Sequence, residues 1–465
     1  MRVPNSKPVE DVGIDAIEFY FPKNYVEQSD LEKFGGVSAG KHTIGLGQQE
    51  MGFCADNEDI VTISKTVTRN LMKSYKISPD SIGFLAVGTE TLIDKSKSVK
   101  TSLMDLFGSN TDIEGVDIKN ACYGGAQALL HAIDWVHVNY AAENRSAMVV
   151  IADIAVYEAG PARCTGGAGA VAFLVRPDSA IPIDRVFASC HMKNSWDFYK
   201  PISSNVSEYP RVDGSLSLAS YLEAARTSYS TFKSKAAKIA DIEITLNYFD
   251  AVFLHSPFTK MVQKGLAVMN YVDVNNNMNN GKSVLNENDR ADMAKMIELS
   301  SDVWKRTTDP YLSFNRRLGN MYTPSLFAQL LAFLASNDCI SETGEEKNIL
   351  FFAYGSGLAS AVFPGRVRQT DSLSAIRKIA VQASERLNHR KRFSAEEFTE
   401  VLSMRERFLS REVPSEPESL SKMSSELSLF PETFYLEHMD SSYRRKYSLY
   451  EQVASSNGIS NGNGH

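Results

Sequence analysis

The sequence predicts an α/β fold with largely parallel sheets, and two observations carry that expectation. Short, dense apolar runs recur at 82–87, 148–156, 168–175, 251–254 and 349–354. Their near-continuous apolarity suits strands covered on both faces. Helical patterns lie between them. Leu129, Ala132, Ile133 and Val136 follow the i, i+3, i+4, i+7 rule, and Phe258, Val262, Leu266 and Met269 follow it approximately. Strands alternating with helices are the pattern of stacked α/β layers.

The 465 residues, 43% hydrophobic and 23% charged, suffice for a large buried core. A net charge of −7 gives no electrostatic reason to expect nucleic acid or an anionic membrane as partner. No run approaches the ~20 apolar residues of a membrane span. The longest, at 148–156, is interrupted by Asp153. Cys54, Cys122, Cys164, Cys190 and Cys339 are widely spaced and form no C-x-x-C pair. That spacing gives no sign of a metal site and fits a reduced compartment. Residues 1–12 carry neither a signal-peptide core nor an arginine-rich amphipathic stretch, so a cytoplasmic location is expected. Polar stretches at 272–287 and 415–428 read as surface insertions, and 455–465 as a disordered Ser/Asn/Gly tail. No short-period repeat is visible.

The segment NACYGG at 120–125 comes just before the helical pattern. Cys122 is thereby placed at or near a helix N-terminus, where unpaired N–H groups and the macrodipole favour a thiolate. Such a site lowers a thiol from its usual value of about 8.5. Gly124 and Gly125 let backbone approach a ligand and offer oxyanion donors. The competing reading is an inert core cysteine. GTET at 88–91 follows the strand at 82–87 directly. Functional groups collect beyond the C-terminal ends of strands in such sheets, so Glu90 is a candidate general base; a solvated loop glutamate is the alternative. His255 closes the strand at 251–254 and is a candidate proton donor, as against a satisfied turn histidine.

Lys260 and Lys264 follow on the helix side opposite its apolar stripe. Two ammonium groups at i, i+4 repel unless an anion joins them, which suits a phosphorylated ligand; two solvated lysines are the alternative. Asn320 in RLGNMYT (317–323) and Ser356 in YGSG (354–357) sit in glycine-bracketed segments, the second a good hairpin turn or an anion pocket. GGAG at 166–169 is not a dinucleotide fingerprint. Cysteine, glutamate and histidine supply a nucleophile, a base and a proton shuttle. A cysteine acyl carrier and a cysteine hydrolase both need these, so residue types leave the two open.

Eleven ordered stretches carry a resemblance: KHTIGLGQ (41–48), MGFC (51–54), GTETLIDKSKSVKT (88–101), NACYGG, ADIAVY (152–157), TGGAGAVA (165–172), DFYKP (197–201), SEYPRVDG (207–214), HSPFTKMVQK (255–264), GNMYT (319–323) and YGSG. Over 12–452 the sequence resembles the eukaryotic 3-hydroxy-3-methylglutaryl-CoA synthases. The resemblance implies a thiolase-like α/β/α/β/α fold of two similar halves. The first, 12–178, carries Glu90 and Cys122; the second, 179–454, carries His255, Asn320 and Ser356. It implies a homodimer that takes acetyl-CoA and acetoacetyl-CoA as substrates, needs no cofactor, and feeds the mevalonate route to isoprenoids and sterols.

In that scheme Cys122 carries an acetyl group, Glu90 removes a proton from its methyl, and His255 positions acetoacetyl-CoA and protonates the new alkoxide. Tyr157, Thr165, Asn320 and Ser356 match family positions around the acyl groups. Ala39, Ser217, Lys260 and Lys264 match positions that contact CoA. Ser38 stands where some relatives have aspartate. Pro161 stands where many have an asparagine that touches CoA, and it lacks both the amide side chain and the backbone N–H. Thiolases and ketoacyl synthases pair their cysteine with His/Cys or His/His, without a glutamate in the GTET context. A non-catalytic acyl-CoA-binding paralogue is expected to have lost one of the trio, and all three are present.

Overall fold

Strands that are apolar on both faces need cover on both, and the chain supplies it with two stacked sheets and three helical layers. The structure is a computed structural model; it describes residues 9–201, 208–241, 243–276, 285–410, 413–422 and 428–451. The first sheet holds β1 (Gly13–Tyr20), β2 (Ile82–Gly88), β3 (Asp117–Ile118), β4 (Ser146–Ala155), β5 (Gly167–Arg176) and β6 (Ile181–Pro182), in the spatial order β3-β2-β4-β5-β1-β6. The second holds β7 (Ser189–Met192), β8 (Ala251–Leu254), β9 (Lys347–Gly355) and β10 (Ala359–Val367), in the order β8-β9-β10-β7.

The two-residue period of a strand divides these side chains between cores. In β4, Ala147, Val149 and Ile151 enter the central core, while Met148, Val150 and Ala152 enter an outer one. In β9, Ile349, Phe351 and Ala353 enter the same central core, and Leu350, Phe352 and Tyr354 enter the opposite outer one. Helices that fill the layers include α1 (Ile60–Ser74), α2 (Gly124–Glu143), α3 (Gly214–Ala240), α4 (Thr259–Asn276) and α5 (Ser325–Ala335). α1 covers the outer face of the first sheet, α3 and α4 that of the second, and α2 and α5 lie between the sheets. α5, SLFAQLLAFLA, is apolar nearly all round, which suits a helix with sheet on both sides.

The sheets are mixed, not largely parallel. β2 runs parallel to β3 and β4, and β8 to β9, but β4/β5, β5/β1, β1/β6, β9/β10 and β10/β7 are antiparallel. No helix long enough for a crossover separates β4 from β5 or β9 from β10, so each pair must turn back on itself. The same plan occurs twice. A parallel strand, a central helix and a hairpin (β2, α2, β4–β5) are matched by β8, α5 and β9–β10. The expected insertions are partly helical: α4 runs on to Asn276, and a short helix spans Glu418–Lys422. The rest of the first stretch up to 284, residues 423–427 of the second, and the tail at 455–465 lie outside the described residues.

Close backbone approaches bring the loops together. A Cβ on Gly88 would stand 2.4 Å from the Cα of Gly125, and one on Gly355 would stand 1.5 Å from the carbonyl oxygen of Ala121. The end of β2 and the end of β9 therefore both press on the segment around Cys122. A Gly355→Ala substitution is expected to cost about 1–3 kcal/mol and to lower the melting temperature in scanning calorimetry. An unchanged melting temperature would show that these loops can separate freely.

Candidate active site

Cys122 lies just before α2, with φ at 52°. A non-glycine residue in this left-handed region costs about 1–2 kcal/mol, and such strain is held only where the surroundings enforce it. The residue is half-buried, on the wall of a cavity of about 330 Å³. Its ionisation departs from expectation. Burial, the carboxylates of Glu90 and Asp153, and a hydrogen bond to Glu90 push the thiol well up, against a smaller lowering by Lys200. Desolvation and two anions outweigh the helix terminus, so the resting thiol is protonated.

Glu90 is buried just beyond β2. Its Oε2 accepts the backbone N–H of Cys122 at 2.6 Å. Its Oε1 lies 2.8 Å from Lys200 Nζ in an ion pair. The loop around it is held by Asp153, which is fully buried in β4. Asp153 Oδ1 accepts from Thr89 Oγ1 (2.8 Å), Glu90 N (2.8 Å), Thr91 N (3.0 Å) and Thr91 Oγ1 (2.9 Å). Its Oδ2 accepts from Thr323 N at 3.1 Å and from Thr323 Oγ1. Burial first and the Glu90 charge second raise Asp153 to about 6, opposed by these donors and Lys200.

His255 follows β8 and is fully buried. Its carbonyl accepts from Tyr221 Oη at 2.7 Å, and its ring lies against Tyr354 with centroids 6.4 Å apart. Burial lowers the ring to about 3, so it is neutral near pH 7. Nδ1 is buried without a hydrogen-bond partner among the described residues.

The 330 Å³ cavity is lined by Cys122, His255, Tyr157, Thr165, Ser217, Asn320 and Ser356 together, with Phe198, Tyr322 and Tyr354 among its aromatic walls. Glu90 lies behind Cys122 and is not on that wall. Asn320 is fixed by its Oδ1, which accepts from Tyr322 N (2.9 Å) and Ser325 Oγ (3.2 Å). Thr165 donates to Ala162 O at 2.7 Å.

Ser38, Ala39, Lys260 and Lys264 do not line the cavity. Ser38, Ala39 and Lys260 are exposed and Lys264 is half-buried. The loop carrying the first two nevertheless docks on the start of α4: Lys260 N donates to Leu46 O at 3.1 Å and Thr259 Oγ1 to Gly47 O at 2.7 Å. A second cavity of about 340 Å³, beside that loop, is lined in part by Lys41, His42, Pro161 and Arg163. Among the described residues, no cluster of three or more His, Cys, Asp or Glu side chains is arranged to hold a metal ion, and no helix is long and apolar enough to cross a membrane.

Residues 8–180 match the family model for the hydroxymethylglutaryl-coenzyme A synthase N-terminal region, and residues 181–450 match that for the C-terminal region. The chain belongs to the hydroxymethylglutaryl-CoA synthase family. A hydroxymethylglutaryl-CoA synthase of Caenorhabditis elegans is 66% identical over 463 residues, covering 98% of this chain and 97% of that protein. The cytoplasmic synthase of Mus musculus is 41% identical over 466 residues, covering 94% and 87%. Among solved structures, MvaS in complex with 3-hydroxy-3-methylglutaryl coenzyme A superposes with a TM-score of 0.82 at 27% identity, covering 96% of this chain and 100% of that one.

Sequence reasoning assigned no role in the synthase site to Lys200 or Asp153. Asp153 had a visible signal, a lone carboxylate inside an otherwise apolar strand. Such a group is buried only if it is fully hydrogen-bonded. Lys200, in DFYKP, had none beyond its aromatic neighbours, because its partner stands 110 positions away.

The neutral His255 ring ties stability to pH. Below its ordinary 6.5 the unfolded chain takes up a proton that the folded ring refuses, down to about 3. The neutral ring's contribution is therefore complete above 6.5 and is lost as pH falls towards 3. Between pH 7.5 and 5, a His255→Gln variant is expected to lose roughly 2 kcal/mol less unfolding free energy than the parent. Parallel stability curves in urea titrations would contradict this.

Proposed function

We propose that this synthase condenses acetyl-CoA with acetoacetyl-CoA and water to give 3-hydroxy-3-methylglutaryl-CoA and CoA, through an acetyl thioester on Cys122. One arrangement supports the reading best. A buried carboxylate, Glu90, is bonded to the backbone of a strained cysteine, and that cysteine shares a cavity with a neutral histidine.

The resting thiol is protonated, and it carries its proton into the acylation step. The sulfur attacks the acetyl carbonyl, its proton goes to the departing sulfur, and CoA leaves as the thiol. Glu90 then takes a proton from the acetyl methyl. The electron pair of that C–H bond forms the new C–C bond to the ketone carbon of acetoacetyl-CoA, and the ketone π pair moves to oxygen. His255 presents an N–H to that oxygen and delivers the proton, and the proton taken up by Glu90 restores the ring to its neutral form. Water then cleaves the Cys122 thioester.

Tyr157, Thr165, Asn320 and Ser356 surround the acyl groups. Ser217, with Ser38, Ala39, Lys260 and Lys264 at the surface, holds CoA, whose phosphates offset the repulsion of the lysine pair. The CoA thioesters are substrates, and the scheme calls for no further cofactor. The product enters the mevalonate route to isoprenoids and sterols, in the cytoplasm. Likeness to the cytoplasmic mouse enzyme supports that location, and localising the tagged full chain tests it against the mitochondrial alternative offered by the 43% identical enzyme of Sus scrofa. A homodimer is supported by the short edge strand β3, preceded by Val116 at 64% exposure.

Labelled acetyl-CoA, with and without acetoacetyl-CoA, followed by mass spectrometry of the Cys122 peptide, tests the chemistry. An acetyl adduct is expected without the second substrate and turnover with it. Glu90→Ala should keep the adduct and lose condensation by about 100-fold or more. No adduct on Cys122, or condensation by a Cys122→Ala variant, would overturn the mechanism.

A further inference from the structure

Beside the site, among the described residues, stands a buried cation that the reaction scheme leaves unused. Lys200 Nζ stands 2.8 Å from Glu90 Oε1, and the two side chains are 15% and 5% exposed. It also lies 4.5 Å from the centroid of the Tyr322 ring and 5.8 Å from that of Phe198, where the ring faces attract an ammonium group. Burial disfavours its charge, yet Glu90, Asp153 and Cys122 together raise its affinity for the proton above the ordinary value.

Its placement is rigid. Lys200 follows the strand Phe198–Tyr199, which pairs with Arg211–Val212. The preceding residue, Asp197, is fully buried and accepts from Tyr354 Oη at 3.0 Å and Gly357 N at 2.9 Å. The lysine is thus fastened to the loop that carries Ser356, while Glu90 is fastened to β4 through Asp153.

Among the described residues, the other ionisable groups that act on Glu90 are acids. These are Asp153 on β4, Cys122 before α2, Tyr157 after β4 and Tyr322 before α5. Two buried carboxylates sharing one environment cannot both stay ionised without a compensating charge. Oε2 is committed to the Cys122 amide, so a proton accepted from substrate falls to Oε1, the oxygen beside the ammonium.

We propose that Lys200 is a positioning residue for the condensation step, which holds Glu90 as an aligned carboxylate beside Cys122 and steadies the negative charge until the methyl proton arrives. This rests on the condensation reading above. The methyl C–H bond breaks, the proton goes to Glu90, and the electron pair goes to the attacking carbon; Lys200 gives up no proton and forms no bond to substrate.

The test compares Lys200→Met and Lys200→Arg with the parent, each as the full chain. In Lys200→Met, condensation kcat should fall about 100-fold, and the acid limb of its pH profile should move up by about one unit. Acetylation of Cys122 and the KM for acetyl-CoA should stay within about tenfold, a split that a merely disordered site would not give. Lys200→Arg keeps the charge and should recover most of the pH profile. If Lys200→Met does not fold, Lys200→Gln takes its place in the same comparison. A charge-free variant that condenses with an unmoved acid limb, or an arginine variant no better than it, would overturn the proposal. Absence of acetyl-Cys122 in the parent would instead overturn the condensation reading itself.

Discussion

One buried carboxylate organises the site. Asp153 receives six hydrogen bonds, four from the Thr89–Thr91 turn on one oxygen and two from Thr323 on the other. Hydrogen bonds to an ionised acceptor are about twice as strong as neutral ones. Buried as these groups are, each would leave a costly orphan if broken. The turn belongs to the first half of the chain and Thr323 to the second, so this one side chain fixes how the two halves meet. Glu90 and the segment bearing Asn320 and Tyr322 are both set by it.

The same economy explains the titration behaviour of the cavity. Burial disfavours charge, which together with the Glu90 and Asp153 carboxylates raises the Cys122 thiol and by itself lowers the His255 ring. The cysteine and histidine therefore rest in neutral forms, and Glu90 with its lysine forms the ion pair between them. A site prepared this way does not stabilise a thiolate or an imidazolium in advance. Charge appears during the reaction and is met by groups already in place, which is where electrostatic preorganisation accelerates a step.

Much of this was legible in the residues. The long apolar strands were found because a strand covered on both faces has no polar alternation to hide it. Cys122, Glu90 and His255 stood out because each sits at an abrupt change from strand or loop to helix or turn. The direction of β5 and β10 was not legible, since apolarity says nothing about whether a connection crosses over or turns back. The cysteine's ionisation was misjudged for a related reason. A helix terminus is visible in sequence, but Asp153, 31 positions away, is not visibly a neighbour. The duplicated plan was visible only through the family resemblance and not in the periodicity, because β2–α2–β4–β5 and β8–α5–β9–β10 share connectivity while their side chains follow different local cores.

That duplication accounts for where the chemistry sits. Each half ends its parallel strand at the site: β2 leads to Glu90 and β8 to His255. Each half also sets a loop before its central helix there, with Cys122 before α2 and Asn320 before α5. Stacking the halves with their central helices in one layer brings the four strand and helix ends to a common point. Such a point must be crowded, and backbone at Gly88, Gly125 and Gly355 leaves no room for a Cβ. The left-handed Cys122 is the product of that crowding. It is pressed by Gly355 against Ala121 on one side and tied by Glu90 to its own amide on the other, so packing between the halves holds the strain that presents the sulfur to the cavity.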